Sequence, residues 1–227
     1  MKKTYFNKIF VHTIPVLAGY VFLGIAFGLV MRTKGFPLWF PPLMSIVIYS
    51  GALEFAAVPV LAQSFDPIGS LVLGIMISAR HLFYGIPMLR KYKNMGMSKP
   101  MLIFGLTDES FSILSTIDVP EGIKPKHFYL GVTLLNYLYW NVGTIIGDLC
   151  GDFVGDRAEG LDFAITALFI VLLIEQFKNK AGVISGLTGL LATGIVLAIV
   201  GSSNMVIISM IIIVIVLLGE RKVIEHE

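Results

Sequence analysis

Polar residues in this chain fall in short clusters, and the intervals between them are apolar for about 17 to 23 residues at a time, the length a helix needs to cross roughly 30 Å of hydrocarbon. The pattern predicts eight helical segments: Ile9–Val30, Pro37–Gln63, Ile68–Leu89, Pro100–Thr116, His127–Cys150, Leu161–Gln176, Ala181–Val200 and Asn204–Leu218. No period-2 alternation competes with them, so the predicted fold class is all-α, a polytopic membrane helix bundle forming a single transport domain over residues 1–227.

Composition strengthens the membrane reading. The chain has 227 residues, of which 56% are hydrophobic and 14% charged, with a mean hydropathy of +0.85. A soluble domain is nearer a quarter charged. The net charge of +2 is small, and its positive residues sit between apolar segments, which speaks for membrane topology and lipid contact and against nucleic acid. One cysteine, Cys150, excludes an intrachain disulfide and a cysteine metal cluster. Without H-E-x-x-H, Walker A or G-x-G-x-x-G, neither a metal centre nor a nucleotide or other cofactor is expected.

Small residues mark close helix contacts. Gly24 and Gly28 are four apart in the first segment, and Gly143, Gly147, Gly151 and Gly155 continue that spacing through the fifth. Asp148, Asp152 and Asp156 follow the same period on another face. Pro59 and Pro87 each remove a helical donor and are candidate helix breaks.

Chemistry concentrates where a bilayer tolerates it least. Glu54 is embedded in G-A-L-E-F-A-A-V, Arg80 and His81 lie inside the third segment, and Asp108 and Glu109 occupy the middle of the fourth. Asn136, Asn141 and Asp148 add polar groups to the fifth. Intramembrane ionisable residues are functional candidates because lipid exposure would desolvate them. Arg80 or a helix amino-terminal end suits a substrate carboxylate, and Glu54, Asp108 or Glu109 suits an ammonium. Phe55, Phe83 or Phe111 would meet an apolar side chain, and the same acids are also able to carry coupling protons.

The short, polar fourth segment is better placed as a discontinuous or re-entrant helix lining a cavity. If it spans, the chain crosses eight times with both termini cytoplasmic. If it turns back, the chain crosses seven times with the amino terminus outside, the arrangement the positive-inside rule favours between these two. Halves of similar length are compatible with inverted repeats.

Several stretches together resemble the AzlC family, the large subunit of branched-chain amino acid exporters. They are P-x-x-x-G-Y-x-x-L-G-I-A-F-G at Pro15–Gly28, G-A-L-E-F-A-A-V at Gly51–Val58, A-R-H-L-F-Y-G at Ala79–Gly85, G-L-T-D-E-S-F at Gly105–Phe111, N-Y-L-Y-W-N-x-G-T-x-x-G at Asn136–Gly147 and G-L-D-F-A-I-T-A-L-F at Gly160–Phe169. The resemblance implies a secondary transporter in the cell membrane that exports branched-chain amino acids with a small hydrophobic AzlD-type subunit. The alternatives are a transporter of another small amino acid or metabolite, or a structural or regulatory membrane subunit. An intramembrane enzyme is disfavoured, since no nucleophile motif or metal set accompanies Asp108, Glu109 and His81.

Overall fold

A computed structural model describes residues 3–62, 67–78, 80–154 and 180–201, with isolated positions between 170 and 216. The described elements are all helical: α1 Lys3–Thr33, α2 Phe40–Val47, α3 Gly51–Leu61, α4 Pro67–Ser78, α5 Arg80–Lys91, α6 Lys99–Phe104, α7 Asp108–Thr116, α8 Pro125–Val154 and α9 Lys180–Val200, with a 3-10 turn at Gly96–Ser98. Most of the sixth predicted segment and part of the eighth lie outside the described residues. Two compact units emerge, residues 1–70 with 77–162 and residues 71–76 with 163–227. In the second, Gly186 of α9 packs on Phe177.

The first unit is built on α1 and α8, of 31 and 30 residues, which at 1.5 Å per residue are each about 45 Å long. Among the described residues, α1 is the one helix both long and apolar enough to cross a membrane by itself. The two helices run parallel, because their contacts advance together: Gly131 lies against Ile9, Trp140 to Thr144 against Gly24, Thr144 to Asp148 against Gly28, and Gly151 against Arg32. Glycine is required along this seam, since a Cβ at Gly28 would overlap the backbone of Thr144 and Asp148, and one at Gly147 the backbone of Ile25. The predicted packing ridge is therefore a backbone-to-backbone contact with α1.

Between these pillars the chain makes two hairpins. The second predicted segment divides at Ile48–Ser50, where Tyr49 takes φ +45°, a left-handed conformation costly for a bulky residue. Along α2 the chain moves toward the amino-terminal half of α8: Ser45 Oγ donates to Asn141 Oδ1 at 2.9 Å, the Tyr137 hydroxyl to Ile46 O at 3.0 Å, and the Tyr49 and Tyr137 rings lie 4.8 Å apart. The contacts of α3 then climb back, from Gly51 and Glu54 at Trp140 to the Phe55 ring, 5.5 Å from Phe27 of α1.

The fourth predicted segment divides at Gly105–Thr107 into α6 and α7, as its polar middle led one to expect. Its two ends return to the same region. Lys99 and Ile103 lie beside Tyr92 and Met88 of α5, and at the other end of the hairpin Lys91 donates to Leu114 O. Ile9, Tyr92, Leu102, Leu114, Phe128 and Val132 close a core around it, at the amino-terminal ends of α1 and α8.

The breaks expected at Pro59 and Pro87 are not found there: both prolines sit inside helices, α3 and α5. A helix loses one hydrogen bond to an internal proline and can continue, whereas the reversals need the special backbone of Tyr49 and the extended conformations of Ser50 and Thr107.

Candidate functional site

The tips of the two hairpins meet midway along α1 and α8. Tyr49, in the first tip, stacks at 6.1 Å from Phe104, which ends α6 just before the second. Each tip starts a helix, so the amino-terminal ends of α3 and α7 both lie in the interior, where first-turn amides carry partial positive charge. Each of these helices carries an acidic residue in its first turn, Glu54 in α3 and Asp108 with Glu109 in α7.

Glu54 is fully buried and caps its own helix: its Oε1 accepts the Ser50 amide at 3.0 Å. The Trp140 indole N–H is shared between its two oxygens, at 3.2 and 3.1 Å. The Ser50 hydroxyl, at the N-cap position, makes no capping bond and has no hydrogen-bond partner although its Oγ is buried. A polar atom at a helix amino terminus without its usual duty leaves that end open to an anionic group.

Glu109 faces the same region from α7. The Tyr20 hydroxyl of α1 lies 2.5 Å from Glu109 Oε2 and 2.7 Å from Thr107 Oγ1. Thr107 caps α7 by accepting the Ser110 amide at 3.3 Å, its hydroxyl is 3.2 Å from Ser110 Oγ, and Asn136 Nδ2 donates to that oxygen at 3.0 Å. Asn136 is fully buried and its Oδ1 has no partner. The Tyr20 and Trp140 rings meet edge-to-face at 5.7 Å, so the two carboxylates are held by touching aromatic side chains. Tyr49 is buried in the electrostatic field of Glu54 and Glu109 and close to Tyr20, yet its hydroxyl has no hydrogen bond of ordinary geometry.

An apolar cavity of about 290 Å³ adjoins the second tip, lined in part by His81, Met88, Leu89, Ile103 and Leu106. His81 is thus beside the tip region, and its Nδ1 lies 3.1 Å from Ser78 O. Arg80 opens α5, and its side chain lies outside the described residues.

Two candidates stand apart. Asn141 joins α2 to α8, accepting from Ser45 and donating to Tyr137 O at 2.8 Å. Asp148 lies about 12 Å along α8 beyond Trp140, where Arg32 Nε approaches it at 3.6 Å while the same guanidinium pairs with Asp152. Sequence reasoning missed Tyr20, Tyr49, Ser50 and Trp140. The available signal was a hydroxyl or indole N–H placed midway along an otherwise apolar span.

Among the described residues no cluster of potential ligands suits a metal ion. The AzlC protein family model matches residues 15–154, which contain both hairpins, all of α8 and α1 from Pro15 onward. A branched-chain amino acid transport protein AzlC of Bacillus subtilis is 46% identical over 220 residues, covering 97% of this chain and 87% of the relative. The inner membrane protein YgaZ of Escherichia coli is 30% identical over 190 residues, covering 79% and 77% respectively. A membrane protein of Helicobacter pylori, 32% identical, aligns over 97% of this chain and 96% of its own length. No solved structure matches. A match of this extent establishes that the chain belongs to the AzlC protein family.

Proposed function

We propose that this protein is a secondary transporter that exports branched-chain amino acids from the cell, with the substrate held between the two hairpin tips. The observation that carries the reading is the pairing of two interior helix amino termini with two first-turn glutamates, Glu54 and Glu109. An α-amino acid presents the complementary pair, a carboxylate for the helix ends and an ammonium for the glutamates. The apolar cavity beside Leu106 suits a branched aliphatic side chain. The B. subtilis relative's name supports the substrate class.

The hairpin geometry favours a topology different from both alternatives weighed on sequence. With α1 and α8 parallel, the first hairpin enters from the side where α1 ends and the second from the side where α1 begins. The third segment crosses between them. Six crossings and two re-entrant hairpins result, once the last three segments each cross. Of the 17 Lys and Arg residues, Arg80 then lies within the membrane, and only Arg32, Lys34 and Arg157 fall on the side opposite the amino terminus. So strong an asymmetry favours cytoplasmic termini. In this arrangement the third segment with the hairpin that follows it would repeat, inverted, α1 with its hairpin, a layout that suits alternating access to a central site.

A small AzlD-type subunit is the partner that family membership suggests, lodged within the membrane. Counterflow of labelled leucine, isoleucine, valine and methionine in proteoliposomes, with and without that subunit, tests the reading. Saturable exchange with the aliphatic substrates is expected, and its absence under every gradient, with the partner present, contradicts it.

A further inference from the structure

The hydroxyls between Glu109 and Asn136 form an unbroken chain that can be directed from either end. A carboxylate can only accept, so when Glu109 is ionised it takes the single Tyr20 hydroxyl proton across 2.5 Å. In that setting the Tyr20 oxygen, 2.7 Å from Thr107 Oγ1, is free to accept the Thr107 hydroxyl, and Thr107 Oγ1, 3.2 Å from Ser110 Oγ, to accept the Ser110 hydroxyl, while Ser110 Oγ accepts from Asn136 Nδ2 at 3.0 Å. Every hydroxyl in that setting gives one proton toward Glu109, and Thr107 Oγ1 accepts the Ser110 amide as well. The series ends with Asn136 Oδ1, which is buried and without a partner.

A protonated Glu109 reverses the order. Its carboxyl donates to Tyr20, Tyr20 to Thr107, Thr107 to Ser110, and Ser110 then needs an acceptor. Turning the Asn136 amide supplies one and removes the orphaned oxygen. One proton is taken up at Glu109, and along the chain the hydroxyls rotate without exchanging any O–H bond. Chains of this kind polarise cooperatively in a low-dielectric interior, which favours concerted reversal over a mixed state.

We propose that Glu109 is a proton-loading site whose occupancy is relayed through Tyr20, Thr107 and Ser110 to Asn136, so that the Asn136 carbonyl oxygen is offered to a donor, such as a substrate ammonium, only while Glu109 is ionised. The proposal rests on the transport reading above and supplies its coupling, since proton loading withdraws an acceptor from the ammonium. Tyr20, Thr107 and Ser110 are positioning residues. The ionisable groups around Glu109 are Tyr20 from α1, Tyr49 from the first hairpin and Asp108 on its own helix, with Glu54 reaching the region through Tyr49. From α8 Tyr137 reaches the region through Tyr49, and α5 brings Lys91 only to the far end of α7.

An infrared pH titration of the full chain in nanodiscs, without substrate, tests this. The Glu109 carboxyl band is assigned by its loss in Glu109→Gln and the Asn136 amide carbonyl band by its loss in Asn136→Ser. Both bands should shift with one midpoint in the wild type, whereas Tyr20→Phe and Thr107→Val should leave the Glu109 titration in place and detach Asn136 from it. An Asn136 band indifferent to Glu109, a band that still follows it in both variants, or a Glu109 that never titrates overturns the proposal. Leucine binding measured on the same samples, with the small subunit added, separates the two claims. Coupled bands without leucine binding support the relay and sink the transport reading, and leucine binding with uncoupled bands does the reverse.

Discussion

Glu54 illustrates how a buried charge is tolerated at the centre of this protein. Its carboxylate holds the Ser50 amide and the Trp140 indole N–H, so each oxygen has a donor despite complete burial. Removing one partner leaves a desolvated group unsatisfied, which costs about 1–3 kcal/mol. Trp140→Phe should therefore lower stability by roughly that amount, whereas adding Glu54→Gln to it should cost much less than a second independent loss, because the charge that needed the indole has gone. Thermal unfolding of the two single variants and the double variant in detergent measures this. Strict additivity would show that the pair is not coupled. That Glu54 and Glu109 would need polar partners was legible in the sequence, because a carboxylate in an apolar run must find donors. Which donors it finds was not, since Trp140 and Tyr20 lie 86 and 89 positions away along the chain from their partners.

At the scale of elements, the seam between α1 and α8 fixes the frame against which the hairpins are placed. Backbone approaches backbone at Gly28 and Gly147, leaving no room for a side chain. Gly147→Val should push the pillars apart at a cost of about 1–3 kcal/mol or more, the range for overpacking a filled core. The readout is the melting temperature together with the yield of folded protein in membranes. A variant as stable as the wild type would show that the seam is loose. The glycine spacing announced this contact, but its parallel sense required the partner, and spacing alone carries no direction.

At the scale of the whole molecule, hydropathy and architecture part company. The first hairpin has halves of 8 and 11 residues, each about 12 to 17 Å long, which together read as one apolar span of crossing length. Hydropathy is blind to reversal, so the second segment passed for a crossing, while the polar residues of the fourth betrayed its break. Pro59 and Pro87 drew attention to the wrong positions because a tip needs unusual backbone dihedrals more than a missing amide. The six-crossing arrangement predicts that, in a Cys150→Ser background, Met97→Cys reacts with a membrane-impermeant thiol reagent only from the cytoplasm and Lys34→Cys only from outside. The opposite or mixed pattern would refute the arrangement.

The claim that the two tips form one amino acid site is tested most directly by substrate protection. In the same background, Ser50→Cys and Thr107→Cys place a thiol in each tip, and the rate of alkylation is followed with and without leucine in reconstituted protein with its small subunit. The account predicts that leucine slows both thiols with the same concentration dependence, while glutamate, which carries a second charge, slows neither. Protection of one tip alone, or of neither while leucine is being transported, would contradict it.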